Sequence, residues 1–100
     1  MIDSDLATKL HNELISANLR SYGIKREGNT VYIVYDDSRV DDEKLNPIKD
    51  KYHQHFRIRT TLPPDTKDLI ALGFTPESIG ENRWKDLEFE CEIVEFKLKE

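Results

Sequence analysis

Apolar residues Leu6, Leu10, Leu14 and Ala17, with Ala7 and Ile15 widening the stripe, recur at the spacing of one helical face. They predict a first helix from about Ser4 to Tyr22, capped by Asp3 or Ser4 and closed by Gly23 with Ile24 packing back. From Ile24 to Tyr35 the pattern changes to that of a hairpin. Gly28-Asn29 supplies a tight turn, and Thr30 to Tyr35 is β-branched or aromatic throughout, apolar on both faces, which marks a central strand. Asp41 reads as the cap of a second helix, with Val40 and Leu45 at the staple positions and Leu45, Ile48, Tyr52 and Phe56 on one face. Pro47 predicts either a kink or a late start with Asn46 as cap. Phe56, Ile58, Thr60 and Leu62 then alternate with Arg57, Arg59 and Thr61, the signature of a half-exposed strand stopped by Pro63-Pro64. A short helix follows from about Thr66 to Leu72, ended by Gly73. Thr75-Pro76 caps one further helical turn.

In the last segment Leu87, Phe89, Cys91 and Ile93 alternate with Glu88, Glu90 and Glu92. This predicts a long strand with a row of glutamates on one face, about 6.6 Å apart. After Ile93 the phase slips, with Val94, Phe96 and Leu98 apolar, so the strand is expected to bulge or to pass between two packing environments. Arg57 and Arg59 are expected to face the glutamate row across strands.

The element order is helix, hairpin, helix, strand, short helices, long strand. It predicts a single α+β domain over residues 1–100. Its three- to four-stranded mixed sheet is covered mainly on one face by two longer helices plus short helical turns. The connection from Tyr35 to Phe56 is long enough for a right-handed crossover.

Hydrophobic residues make up 37% of the chain and charged residues 35%. A thin core under a heavily charged surface follows, although nine aromatics and the patterned runs argue for a folded chain. The acidic start, Met1-Ile2-Asp3-Ser4-Asp5, lacks the features of a secretory signal, and no apolar run approaches a membrane span. One cysteine, Cys91, forms no internal disulfide and fits a reducing compartment, so a cytoplasmic location is expected. A net charge of −5 disfavours direct binding to nucleic acid or to anionic membrane.

Asp36-Asp37 directly follows a hydrophobic strand, with Asp41 and Asp42 close behind. Such carboxylates can hold Mg²⁺ for phosphoryl chemistry, or simply form a turn leading to a helix cap. Pro64-Asp65 followed by Glu95-Phe96-Lys97 resembles in its letters the signature of the PD…(D/E)-x-K nuclease family. That resemblance implies Asp65 and Glu95 on a metal with Lys97 near the nucleophile, whereas the pattern also places Asp65 as a helix cap. Leu72 to Ile79, followed by Arg83-Trp84, resembles the turn of helix-turn-helix DNA-binding proteins and the Leu-Gly-Phe turn of ubiquitin-associated domains. Gly80 falls where a recognition helix would continue. His53-Gln54-His55 lacks zinc-ligand spacing with His11 or Cys91 and reads as surface histidines near a helix end. The sequence offers no nucleophile-and-base arrangement and no glycine-rich phosphate loop.

These observations point to a small acidic, non-catalytic protein-binding module without metal or cofactor. An inhibitor of the kind encoded by phages or toxin–immunity systems fits, covering a basic surface of its partner. Glu88, Glu90, Glu92, Asp36 and Asp37 are the expected partner-binding charges, with Trp84 as an apolar anchor. Two other readings are a Mg²⁺-dependent nuclease or phosphoryl-transfer enzyme using Asp36, Asp37 or Glu95 with Lys97, and an assembly subunit in which two copies pair through a strand edge.

Overall fold

The computed structural model describes residues 2–62, 65–89 and 91–99. Its elements are α1 (Ile2–Ser16), β1 (Gly23–Glu27), β2 (Thr30–Tyr35), a 3₁₀ turn (Ser38–Asp41), α2 (Asp42–Tyr52), β3 (Phe56–Thr61), α3 (Thr66–Ala71), α4 (Pro76–Ile79), α5 (Glu81–Phe89) and β4 (Glu92–Leu98). The fold is α+β, as the element order predicts. The four strands lie in the order β1-β2-β4-β3, and every pairing is antiparallel. The expected mixed sheet is thus an antiparallel one. Because β2 and β3 both oppose β4, they run in the same direction with β4 between them. The α2 connection joins parallel but non-adjacent strands.

Alternation on the strands sends side chains to two faces. Val31, Ile33 and Tyr35 of β2, Val94, Phe96 and Leu98 of β4, and Phe56 of β3 bury the first face against Ala7, Leu10 and Leu14 of α1 and Leu45 and Tyr52 of α2. Each fully buried residue of this size contributes roughly 1.5–3 kcal/mol. The Tyr52 and Phe56 rings meet edge to face at 5.8 Å, where α2 hands over to β3. The second face carries a smaller core: Val34 and Ile93 from the sheet, Leu69, Phe74, Ile79, Trp84 and Leu87 from the α3–α5 segment.

Burial on both faces explains the phase slip at Ile93 and Val94. β4 runs in continuous register past β2, with Ile33 opposite Val94 and Val34 opposite Ile93. Ile93 enters the second core and Val94 the first. The strand passes between two packing environments without needing a bulge.

Three element bounds differ from expectation. The first helix ends at Ser16, because Asn18 takes the left-handed conformation (φ 55°) that closes a helix. Gly23 is therefore not a helix stop. It opens β1, and a Cβ there would sit 3.1 Å from the Phe74 ring, so its missing side chain is what lets α3–α5 approach the sheet. The largest difference is α5: residues 81–89 are helical, although Leu87 to Ile93 alternate like a strand. Glu81–Phe89 contains no β-branched residue, whereas the true strand, from Glu92, carries β-branched Ile93 and Val94. Trp84 and Leu87, three apart, bury one helical face. Intrinsic propensity and that contact override the alternation.

The turn and cap expectations hold, whereas the staple of the second helix does not. The hairpin closes through Gly28-Asn29, with Gly28 at φ 60°. Asp65 caps α3, accepting from the Lys67 backbone N–H at 2.8 Å, and Thr75 with Ser78 forms a capping box around Pro76. Pro47 lies inside α2, which starts at Asp42 rather than late at Asn46. Val40 is exposed and does not staple that helix. The Pro63-Pro64 stop and the side chains of Asp3 and Ser4 lie outside the described residues.

Candidate functional site

The polar structure gathers where β2 ends. Asp36 and Asp37 leave the sheet together and lead into the 3₁₀ turn. Asp37 accepts from the backbone N–H and from the Nε and Nη2 of Arg39 at 3.0–3.1 Å, and that guanidinium holds its carboxyl below the usual range. Asp36 accepts from the Asp37 backbone N–H at 2.7 Å and faces the Tyr22 hydroxyl at 3.5 Å. The Tyr22 phenol is raised by burial, then by Asp36 and Asp86, with Arg83 acting in the opposite direction. Asp86 of α5 therefore borders the same corner. Glu92 and Asp42 border it too, since both act on Arg39.

Two carboxylates here are committed to the fold. Asp41 is 2% exposed; it holds the N-cap position of α2 but caps nothing with its side chain. Instead its Oδ2 accepts from the Arg20 backbone N–H at 2.6 Å and the Tyr35 hydroxyl at 2.7 Å. Burial first, and the Asp41 contact second, raise the Tyr35 phenol far above its ordinary value. Glu92 accepts from both the backbone N–H and the hydroxyl of Ser38, at 3.1 and 2.9 Å, and so pins the 3₁₀ turn to β4.

The expected row of three glutamates does not form. Glu88 lies on α5, Glu90 is outside the described residues, and Glu92 alone is on β4, engaged with Ser38. Arg57 and Arg59 do pair across to β4, but further along it: Arg59 opposes Glu95, at 3.4 Å between Nη2 and Oε1, and Arg57 opposes Lys97. Trp84 is 8% exposed and belongs to the second core, so it is not an exposed anchor. Of the expected partner-binding residues, the structure brings Asp36, Asp37 and Glu92 to one corner; Asp42, close behind Asp36-Asp37 in the sequence, joins them, and Asp86 is added from α5.

Among the described residues no three His, Cys, Asp or Glu side chains are placed to hold a metal ion. Glu95 and Lys97 share a face of β4, but Asp65 caps α3. His53 and His55 sit exposed in the turn after α2, where Lys99 Nζ donates to the His53 carbonyl at 3.1 Å. Cys91 is half-buried against the second core, which pushes its thiol up to about 11, with Glu92 adding to the effect. A groove of about 450 Å³ lies between α1 and α2, lined by Leu6, Glu13, Lys51, Tyr52 and their neighbours, and the Lys51–Glu13 ion pair spans it. Among the described residues no helix is long and apolar enough to cross a membrane.

In comparisons with known proteins no family model matches the chain, and no curated protein or solved structure matches it.

Proposed function

We propose that this chain is a small acidic protein-binding module that docks on a basic surface of its partner and occludes it. The observation that carries this reading is the segregation of charge. At the end of β2, Asp36, Asp37, Asp42, Asp86 and Glu92 gather about the guanidiniums of Arg39 and Arg83, an excess of acid at this corner among the described residues. Arg57 and Lys97 lie away from them, on the far part of the sheet. The acidic corner also carries an apolar contact, since Val40 is 50% exposed beside Arg39 and takes the place expected for Trp84. Charge of this kind speeds and orients association, while the apolar contact supplies affinity. Pairing of two copies through a sheet edge is less favoured. The edge strands β1 and β3 carry Lys25, Arg26, Arg57 and Arg59, charges that oppose edge-to-edge addition.

The test is capture from the native host with the wild-type chain and with an Asp36→Asn/Asp37→Asn/Asp86→Asn variant, at low and high salt. The expected result is a basic partner retained by the wild type at low salt and lost both in the variant and at high salt. Both chains should unfold at closely similar temperatures. A partner retained equally by the variant contradicts the reading.

A further inference from the structure

The helices of the second face cover only the end of the sheet that holds Val34 and Ile93. The other half of that face is open and forms a concavity of about 190 Å³ lined by Thr30, Tyr32, Arg57, Arg59, Glu95 and Lys97. The strand register orders these residues into two rows running across the sheet. Read from β1 to β3, one row is Lys25, Tyr32, Glu95, Arg59, and the other is Glu27, Thr30, Lys97, Arg57, with the Glu27 carboxylate at the far end and Thr30 between it and the two cations.

The first row is electrically closed, because Glu95 meets Arg59 at 3.4 Å. The second is not. Lys97 stands directly opposite Arg57, a like-charge pair on neighbouring strands about 4.8 Å apart, and like charges so placed destabilise a sheet. Among the described residues neither cation has a carboxylate partner within ion-pair distance. Two cations beside a hydroxyl donor make a cradle for one oxyanion: the guanidinium presents a planar fork, the ammonium a point charge, and Thr30 a further donor. A dianion removes the repulsion that the row carries when empty. Tyr32, partly buried in the second core, forms the adjoining wall and offers a flat apolar surface beside the charges.

Size and charge select the ligand. The concavity is below the roughly 300–1,000 Å³ of ordinary drug-sized sites, so it suits a phosphoryl group with a small substituent. Two uncompensated cations are far fewer than the roughly 6–10 phosphate contacts of a strong nucleic-acid binder, and the chain's net charge of −5 repels a polyanion. We infer that the Thr30–Lys97–Arg57 row is a binding site for the phosphoryl group of a small phosphomonoester, with Tyr32 beside the ester substituent. The site is separate from the acidic corner and does not depend on the docking reading.

Titration of the full chain with phenyl phosphate and with inorganic phosphate at constant ionic strength, followed by amide chemical shifts, tests this. Saturable shifts are expected on the open halves of β2, β3 and β4, with phenyl phosphate binding more tightly than inorganic phosphate. Arg57→Gln is expected to weaken binding about tenfold, the loss of one charge-assisted contact. The same change should leave the melting temperature unchanged or higher at low salt, since it removes a repulsion; a merely structural arginine would lower it. Arg57→Gln/Lys97→Gln should abolish saturation. Unsaturable shifts, equal binding by the double variant, or an oligonucleotide that binds more tightly than phenyl phosphate would each overturn the inference.

Discussion

At the residue scale the decisive group is Asp41. It was legible as a helix cap, because an Asp before an acidic turn and an apolar stripe is a local signal. Its actual partners, Arg20 and Tyr35, lie 21 and 6 residues away and meet it only once the fold exists. Asp41→Ala would leave a buried phenol and a backbone N–H unpartnered, each costing about 1–3 kcal/mol. We expect a melting temperature lower by roughly 10 °C or more. Tyr35→Phe removes only one side of one bond, leaves Asp41 bonded to Arg20, and should cost less than half as much. Equal losses from the two changes would contradict this assignment. The buried phenols also set a pH limit. Tyr52 is pushed up to about 12 by burial and then by Glu13, and Tyr35 is raised for the like reason through Asp41. Unfolded phenols ionise near pH 10, so the folded state keeps protons that the unfolded state releases. This contribution is complete below about pH 10 and is lost as pH rises toward 12. Thermal melts across that interval should show a falling midpoint, and Tyr52→Phe should flatten the fall. An unchanged slope in that variant would refute the argument.

At the element scale, punctuation was legible and ambiguity was resolved by packing. The Gly28-Asn29 hairpin, the Asp65 and Thr75 caps and the two-sided β2 are all written in local residue chemistry. Helix α5 was not, because Leu87 to Ile93 satisfies a strand's alternation while its residues prefer a helix. Only the contact of Trp84 and Leu87 with Ile93 and Val34 decides between them. That misreading also produced the glutamate row, so the same residues misled both fold and site. Gly23 was visible as a special position, yet for a helix stop rather than for its approach to Phe74. Gly23→Ala tests the approach. Its φ is compatible with alanine, so any cost comes from the 3.1 Å contact with Phe74. We expect about 1–3 kcal/mol of destabilisation, as for overpacking elsewhere. Near-ultraviolet change reporting Trp84 should accompany it. A neutral or stabilising effect would show that α3–α5 does not press on the sheet there.

At the scale of the whole molecule, one antiparallel sheet separates two cores, and its two ends carry opposite charges. Composition revealed the excess of acid but not its distribution, because distribution depends on register. Whether Arg57 opposes Lys97 or a glutamate depends on where along β4 the β3 strand pairs, and no local pattern fixes that register. Segregated charge is the account's central claim, and chemical-shift mapping with an oligolysine peptide at low salt tests it most directly. The account predicts shifts concentrated at Tyr22, Asp36, Asp37 and Asp86 and absent around Arg57 and Lys97. Shifts centred instead on Asp50 in the last turn of α2, or spread evenly over the surface, would contradict it.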